Sequence, residues 1–263
     1  MFSYSPISAT VTSPGSPWFY CGAPQDEALA RLHFLVDEHR SFGLLIGAPG
    51  VGKSGVLTRF AHELSRAGGE AVLLDLLGRD SREMLWAIAS GLHARVDAQA
   101  APFALWRAIS DRLLENSLLH VPTAILCDHV DQANDDALAM IARLVHGSDH
   151  GGHGPTIIAT TTADAAGQLP RRLIDRIDLR VDLDPWSEED VAGYLDARRA
   201  AAGPQAPRVD RPAAHRMWEL SRGLPRSVVR LTDLALVVSL GQRLTLVNPQ
   251  TIDTVHQELS AVA

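Results

Sequence analysis

The chain has 263 residues, 46% of them hydrophobic and 21% charged. That is the profile of an ordinary soluble globular protein, long enough for one large domain or a domain with a smaller companion. A net charge of −7 argues against a generally basic nucleic-acid surface and leaves room only for a local arginine patch.

Residues 1–17, rich in Ser, Thr and Pro, read as a flexible leader. Asp26–His39 spaces Ala28, Leu29, Leu32, Leu35 and Val36 as an amphipathic helix. The apolar run Phe42–Ile46 reads as a buried strand and Gly52–Ala67 as the helix after it. Strands at Glu70–Leu77, Thr123–Asp128, Thr156–Thr161 and Ile177–Leu183 alternate with helices at Ser81–Ala94, Pro102–His120, Ala133–His146 and Pro170–Arg176. Such alternation predicts an α/β fold with a mostly parallel sheet flanked by helices.

Beyond Pro185 the pattern predicts helices only. Ser187 and Asp190 form a capping box opening Glu188–Ala202, followed by Pro212–Arg222, Pro225–Leu240 and Pro249–Val262. The expected organisation is a leader (1–17), an α/β domain (18–184) and a C-terminal helical domain (185–263). Cys21 and Cys127 have neither disulfide nor metal spacing, and Cys127 reads as a small buried residue. No apolar run approaches the ~20 residues that span a bilayer, and the N-terminus lacks a signal pattern. A cytoplasmic location is expected.

The stretch Gly47-Ala48-Pro49-Gly50-Val51-Gly52-Lys53-Ser54, continued by Gly55, fits the P-loop pattern G-x-x-x-x-G-K-[ST] between a strand and a helix. Glycines there let successive N–H groups point into one concavity, and the helix adds its positive N-terminal end. In this pattern Lys53 reaches the β- and γ-phosphates and the Ser54 hydroxyl ligates Mg²⁺. Lys53 is the only lysine; all other basic residues are arginine. A compact ammonium at a triphosphate is a place where a guanidinium fork does not serve. The strand Ala124–Asp128 supplies the second acid, Asp128, which would hold Mg²⁺ through water.

With these motifs stand Trp18-Phe19-Tyr20, Pro185-Trp186-Ser187-Glu188-Glu189-Asp190, Tyr194-Leu195 and Ser221-Arg222-Gly223-Leu224-Pro225-Arg226. From about Pro17 to its end the chain resembles AAA+ P-loop ATPases of the AAA_22 type, such as the general secretion pathway A-type (ExeA-like) and TniB-like transposition ATPases. The resemblance implies ATP and Mg²⁺ as ligands, ADP as product, and self-association into a ring or filament. It also implies a protein partner of secretion, pilus or transposition type. Arg226 falls at the family's sensor-2 arginine. A sensor-1 residue is implied at the end of the fourth strand, best matched by Thr161 with Thr160 and Thr162 beside it. A finger arginine completing a neighbour's site falls at Arg176, with Arg172 second.

One departure bears on catalysis. Where the family has glutamate after the second acid, this chain reads Asp128-His129-Val130-Asp131. The Mg²⁺ role is kept, while the role of the residue that polarises water passes to His129, is taken by Asp131, three residues beyond Asp128, or is lost. On the sequence alone, His129→Glu is expected to raise turnover several-fold. Three readings follow: a slow ATPase, a nucleotide-gated switch with little hydrolysis, and a P-loop kinase, against which the helical C-terminal domain argues. His146, His150 and His153 lie in a Gly-rich stretch that reads as a loop rather than a metal site.

Overall fold

The computed structural model describes residues 19–97, 99–147, 154–203, 206–242 and 244–260. The leader, Trp18, His150, His153 and the last three residues lie outside them. Contacts divide the chain into two units. One comprises residues 27–49 and 53–183. In the other, residues 184–260 are joined by residues 19–26 and by 50–52.

The first unit holds a five-stranded parallel sheet: β1 (Phe42–Gly47), β2 (Glu70–Asp75), β3 (Thr123–Asp128), β4 (Thr156–Thr161) and β5 (Leu179–Leu183). Their order across the sheet is β2-β3-β4-β1-β5. β1, β3 and β4 are buried at every position, which is why they read as continuous apolar runs rather than alternating ones. One sheet face packs Phe42, Leu44, Val72 and Leu74 with Met84, Leu85 and Ile88 of α3 (Ser81–Gly91) and Ile141 of α5 (Asp135–Gly147). α1 (Ala23–Asp37) approaches β1 so closely that a Cβ at Gly43 would lie 2.3 Å from Leu35 Cδ1. α2 (Lys53–Arg66) follows β1, and α4 (Pro102–Leu118) precedes β3.

β2 stops at Asp75 rather than Leu77, because the Asp75 carboxylate accepts the Leu77 N–H at 3.1 Å and turns the chain. Two short helices, α6 (Ala163–Ala166) and α7 (Arg171–Ile174), separate β4 from β5, so Arg176 lies beyond α7.

The second unit packs α8 (Glu188–Ala202), α9 (Arg211–Ser221), α10 (Pro225–Gly241) and α11 (Pro249–Ser260). Its core gathers Trp186, Val191, Tyr194, Met217, Val228, Leu231, Ile252 and Val255, with Tyr20 stacked edge-on against Trp186 and Tyr194. The predicted capping box is present: Ser187 Oγ accepts the Asp190 N–H at 3.1 Å and Asp190 Oδ2 accepts the Ser187 N–H at 3.0 Å. This unit is not purely helical. β6 (Arg208–Val209) and β7 (Leu246–Val247) pair in parallel, an element too short to leave a periodic signal.

Candidate functional site

The P-loop leaves β1 at Gly47 and enters α2 at Lys53, with Gly50 at φ 83° and Gly52 at φ 107°. Only glycine adopts these values without strain, so both glycines are required by backbone geometry. The ammonium of Lys53, largely buried, donates to the carbonyls of Gly47 at 2.6 Å and Ala48 at 3.2 Å. α2 has no acidic residue in its first turn, so none of that turn's own side chains offsets its positive end. Ser54 is exposed on that turn.

Within the second unit Gly50 meets Arg226. The Arg226 N–H donates to the Gly50 carbonyl at 3.1 Å, and a Cβ on Gly50 would stand 3.3 Å from Arg226 Cβ. Arg226 is placed by a strained corner: Arg222 is left-handed, and Gly223 has φ 68° with Trp186 O only 2.1 Å from where its Cβ would be. Pro225 then opens α10. Sequence reasoning missed Gln25, which is buried here. Its Oε1 accepts from Trp186 Nε1 at 2.6 Å and from the Gly22 N–H at 3.2 Å, and its Nε2 donates to Val51 O at 3.4 Å.

Asp128, buried at the end of β3, accepts a hydrogen bond at Oδ1 from the Thr160 hydroxyl and another from the His129 N–H at 3.2 Å. The hydroxyl beside Asp128 is therefore Thr160's rather than Thr161's. Successive strand residues face opposite sides, and Thr161 donates instead to Thr162 O at 3.4 Å. His129 is left-handed, with φ 56° and ψ 48°. Its Nδ1 lies 3.1 Å from Asp75 Oδ1 and 3.8 Å from Asp128 Oδ2. The Leu77 N–H holds the Asp75 carboxyl below the usual carboxylate range, partial burial opposing and the His129 ring assisting.

Asp75 was also missed, although EAVLLD and TAILCD have the same length and both end in aspartate. In parallel register those ends become the partners Asp75 and Asp128. Arg176 lies near α5: its Nη2 is 3.4 Å from His146 Nε2, the acceptor nitrogen of a ring whose Nδ1 donates to Ala142 O at 3.0 Å.

The donors fit Mg²⁺. Ser54 and Asp128 offer hard oxygens, and Mg²⁺ characteristically takes one or two protein oxygens and completes its shell with phosphates and water. Among the described residues no group of three or more His, Cys, Asp and Glu could hold a metal by itself. Among the same residues no helix is long and apolar enough to cross a membrane.

The chain is 26% identical over 231 residues to the general secretion pathway protein A of Aeromonas hydrophila, covering 86% of this chain and 42% of that protein. It thus spans less than half the length of that curated relative. Similar solved structures are Cdc6p from Pyrobaculum aerophilum (TM-score 0.72, 14% identity, 97% of this chain and 69% of that one) and the RuvB Holliday junction branch migration motor of Thermotoga maritima (TM-score 0.63, 16% identity, 89% and 68%). At these identities the two structures establish the fold, a parallel sheet flanked by helices with a helical C-terminal region. The model of the AAA domain family AAA_22 matches residues 36–169, just over half of the chain, and the chain belongs to that family.

Proposed function

We propose that this chain binds ATP with Mg²⁺ and couples that binding, and slow hydrolysis, to assembly with further copies and a protein partner. The observation that carries the reading is the P-loop itself, with its two positive-φ glycines and the Lys53 ammonium turned onto the Gly47 and Ala48 carbonyls. Lys53 would exchange those carbonyls for phosphate oxygens. Ser54 and Asp128 would hold Mg²⁺, which when bound offsets charge on the phosphates. Thr160 and the His129 N–H keep Asp128 Oδ1 in place. Arg226, tied through its backbone to Gly50, is suited to answer γ-phosphate charge, and Arg176 to reach a neighbouring copy's nucleotide. An ATP-dependent role of this kind fits the cytoplasm.

The partner type is read from similarity alone. Likeness to a general secretion pathway protein favours a secretion or pilus component, with a transposition component second. A nucleotide-gated switch with little turnover remains the second reading, because His129 stands where the family has glutamate. Calorimetric titration with ATP·Mg²⁺, followed by steady-state phosphate release over a range of protein concentrations, tests both. No ATP binding sinks the proposal. Binding without phosphate release selects the switch.

A further inference from the structure

Asp75 and Asp128 are register partners at the ends of β2 and β3. The residue after Asp128 adopts a left-handed conformation, which is costly for any residue that carries a Cβ. Three contacts accompany that cost. The His129 N–H is directed at Asp128 Oδ1 and, at 3.1 Å, at Thr160 Oγ1, while the imidazole is carried across to Asp75.

An ionised carboxylate only accepts, so the ring nitrogen 3.1 Å from Asp75 Oδ1 must be Nδ1–H, which in a neutral ring leaves the lone pair on Nε2. Asp75 is itself fixed, its Oδ1 by the Leu77 N–H at 3.1 Å and its carbonyl by Arg79 Nε at 2.9 Å. His129 and Asp75 are 42% and 57% exposed, too open for their contact to add much stability. What such a contact does supply is orientation.

We propose that Asp75 is a positioning residue, holding His129 as the Nδ1–H tautomer so that Nε2 accepts a hydrogen bond from the water that attacks the bound nucleotide. The proposal rests on the hydrolytic reading above. It requires no proton to be taken by the ring. In a loose phosphoryl transfer, aligning the water is itself a catalytic contribution, and Nε2 stands in for a side-chain carbonyl or carboxylate in that task.

The test uses the full chain labelled with ¹⁵N-histidine at pH 8. The His129 signals are assigned by their loss in His129→Gln. The native protein is expected to show the Nδ1–H pattern, and Asp75→Ala to lose it in favour of Nε2–H. In parallel, Asp75→Ala is expected to lower kcat by about ten-fold or more with ATP affinity unchanged. Asp75→Asn, whose amide oxygen can still accept from Nδ1–H, is expected to retain most of kcat and the native tautomer. A native Nε2–H pattern, or one unchanged by Asp75→Ala, overturns the positioning role whatever the kinetics. A rise in kcat in Asp75→Ala also overturns it, since the pair would then be withholding the ring. Absence of turnover in every form, with the Nδ1–H pattern intact, overturns the water-orienting step together with the hydrolytic reading and leaves nucleotide binding standing.

Discussion

Arg226 and Gly50 are joined through their main chains, the Arg226 N–H donating to the Gly50 carbonyl across 3.1 Å. The P-loop backbone and the first turn of α10 therefore share a bond that survives any change of the Arg226 side chain except to proline. Arg226→Ala removes the guanidinium and keeps the tie. We expect it to weaken ATP binding more than ADP binding, the difference reporting contact with the γ-phosphate. Calorimetry with both nucleotides checks this; equal losses for the two would remove Arg226 from the γ-phosphate.

Lys53→Ala deletes the only ammonium that can reach the phosphates and should weaken ATP binding well over ten-fold, while the thermal midpoint moves little because the site lies at a strand end. Lys53→Arg should fare nearly as badly. A planar fork cannot take the place of a compact ammonium lodged 2.6 Å from Gly47 O. Native affinity in Lys53→Ala would sink the P-loop reading.

If Arg176 serves a neighbour, Arg176→Ala should bind ATP normally and lose hydrolysis. Mixing it with Lys53→Ala should then recover part of the turnover, because some mixed interfaces join an intact P-loop to an intact arginine. Rate per chain should also rise with protein concentration. A rate independent of concentration, with no recovery on mixing, removes the finger role.

Gly223→Ala places a Cβ at φ 68° and 2.1 Å from Trp186 O, against backbone that also accepts no shift because Trp186 N–H donates to Gly223 O at 2.8 Å. Backbone strain of this kind costs of order 1–3 kcal/mol before the clash is counted. A clearly lowered denaturant midpoint is expected, and an unchanged one would mean that the Gly223 corner can relax.

Much of this was legible in the sequence because single chemical requirements fixed it. The P-loop needs glycine where φ is positive and lysine where phosphates sit, and buried parallel strands need continuous apolar runs. The Ser187–Asp190 box is a local hydrogen-bond pattern within four residues. What stayed hidden depended on register and on contacts distant in sequence. Asp75 meets His129 only because β2 and β3 pair end to end, and Thr160 rather than Thr161 touches Asp128 because of strand parity. Gln25 joins Val51 and Trp186 across intervals that no periodicity records. The β6–β7 pair was missed because two residues per strand carry no alternation.

The Asp75–His129 contact also changes what a glutamate at position 129 is expected to do. From the sequence, His129→Glu restores the family's residue and should raise turnover several-fold, since a positioned base is worth roughly 10²–10⁴-fold in general. In the structure, the side chain at 129 faces Asp75 Oδ1 at 3.1 Å and Asp128 Oδ2 at 3.8 Å. A glutamate there would bring a third carboxylate beside two others, where like charges disfavour ionisation and drive the side chain outward. The gain should therefore appear in full only when Asp75 is neutralised. Asp75→Asn/His129→Glu is expected to exceed His129→Glu in phosphate release by several-fold, at equal ATP affinity. If the single and double variants turn over alike, Asp75 exerts no hold on position 129, and the identity of that one side chain alone sets the rate.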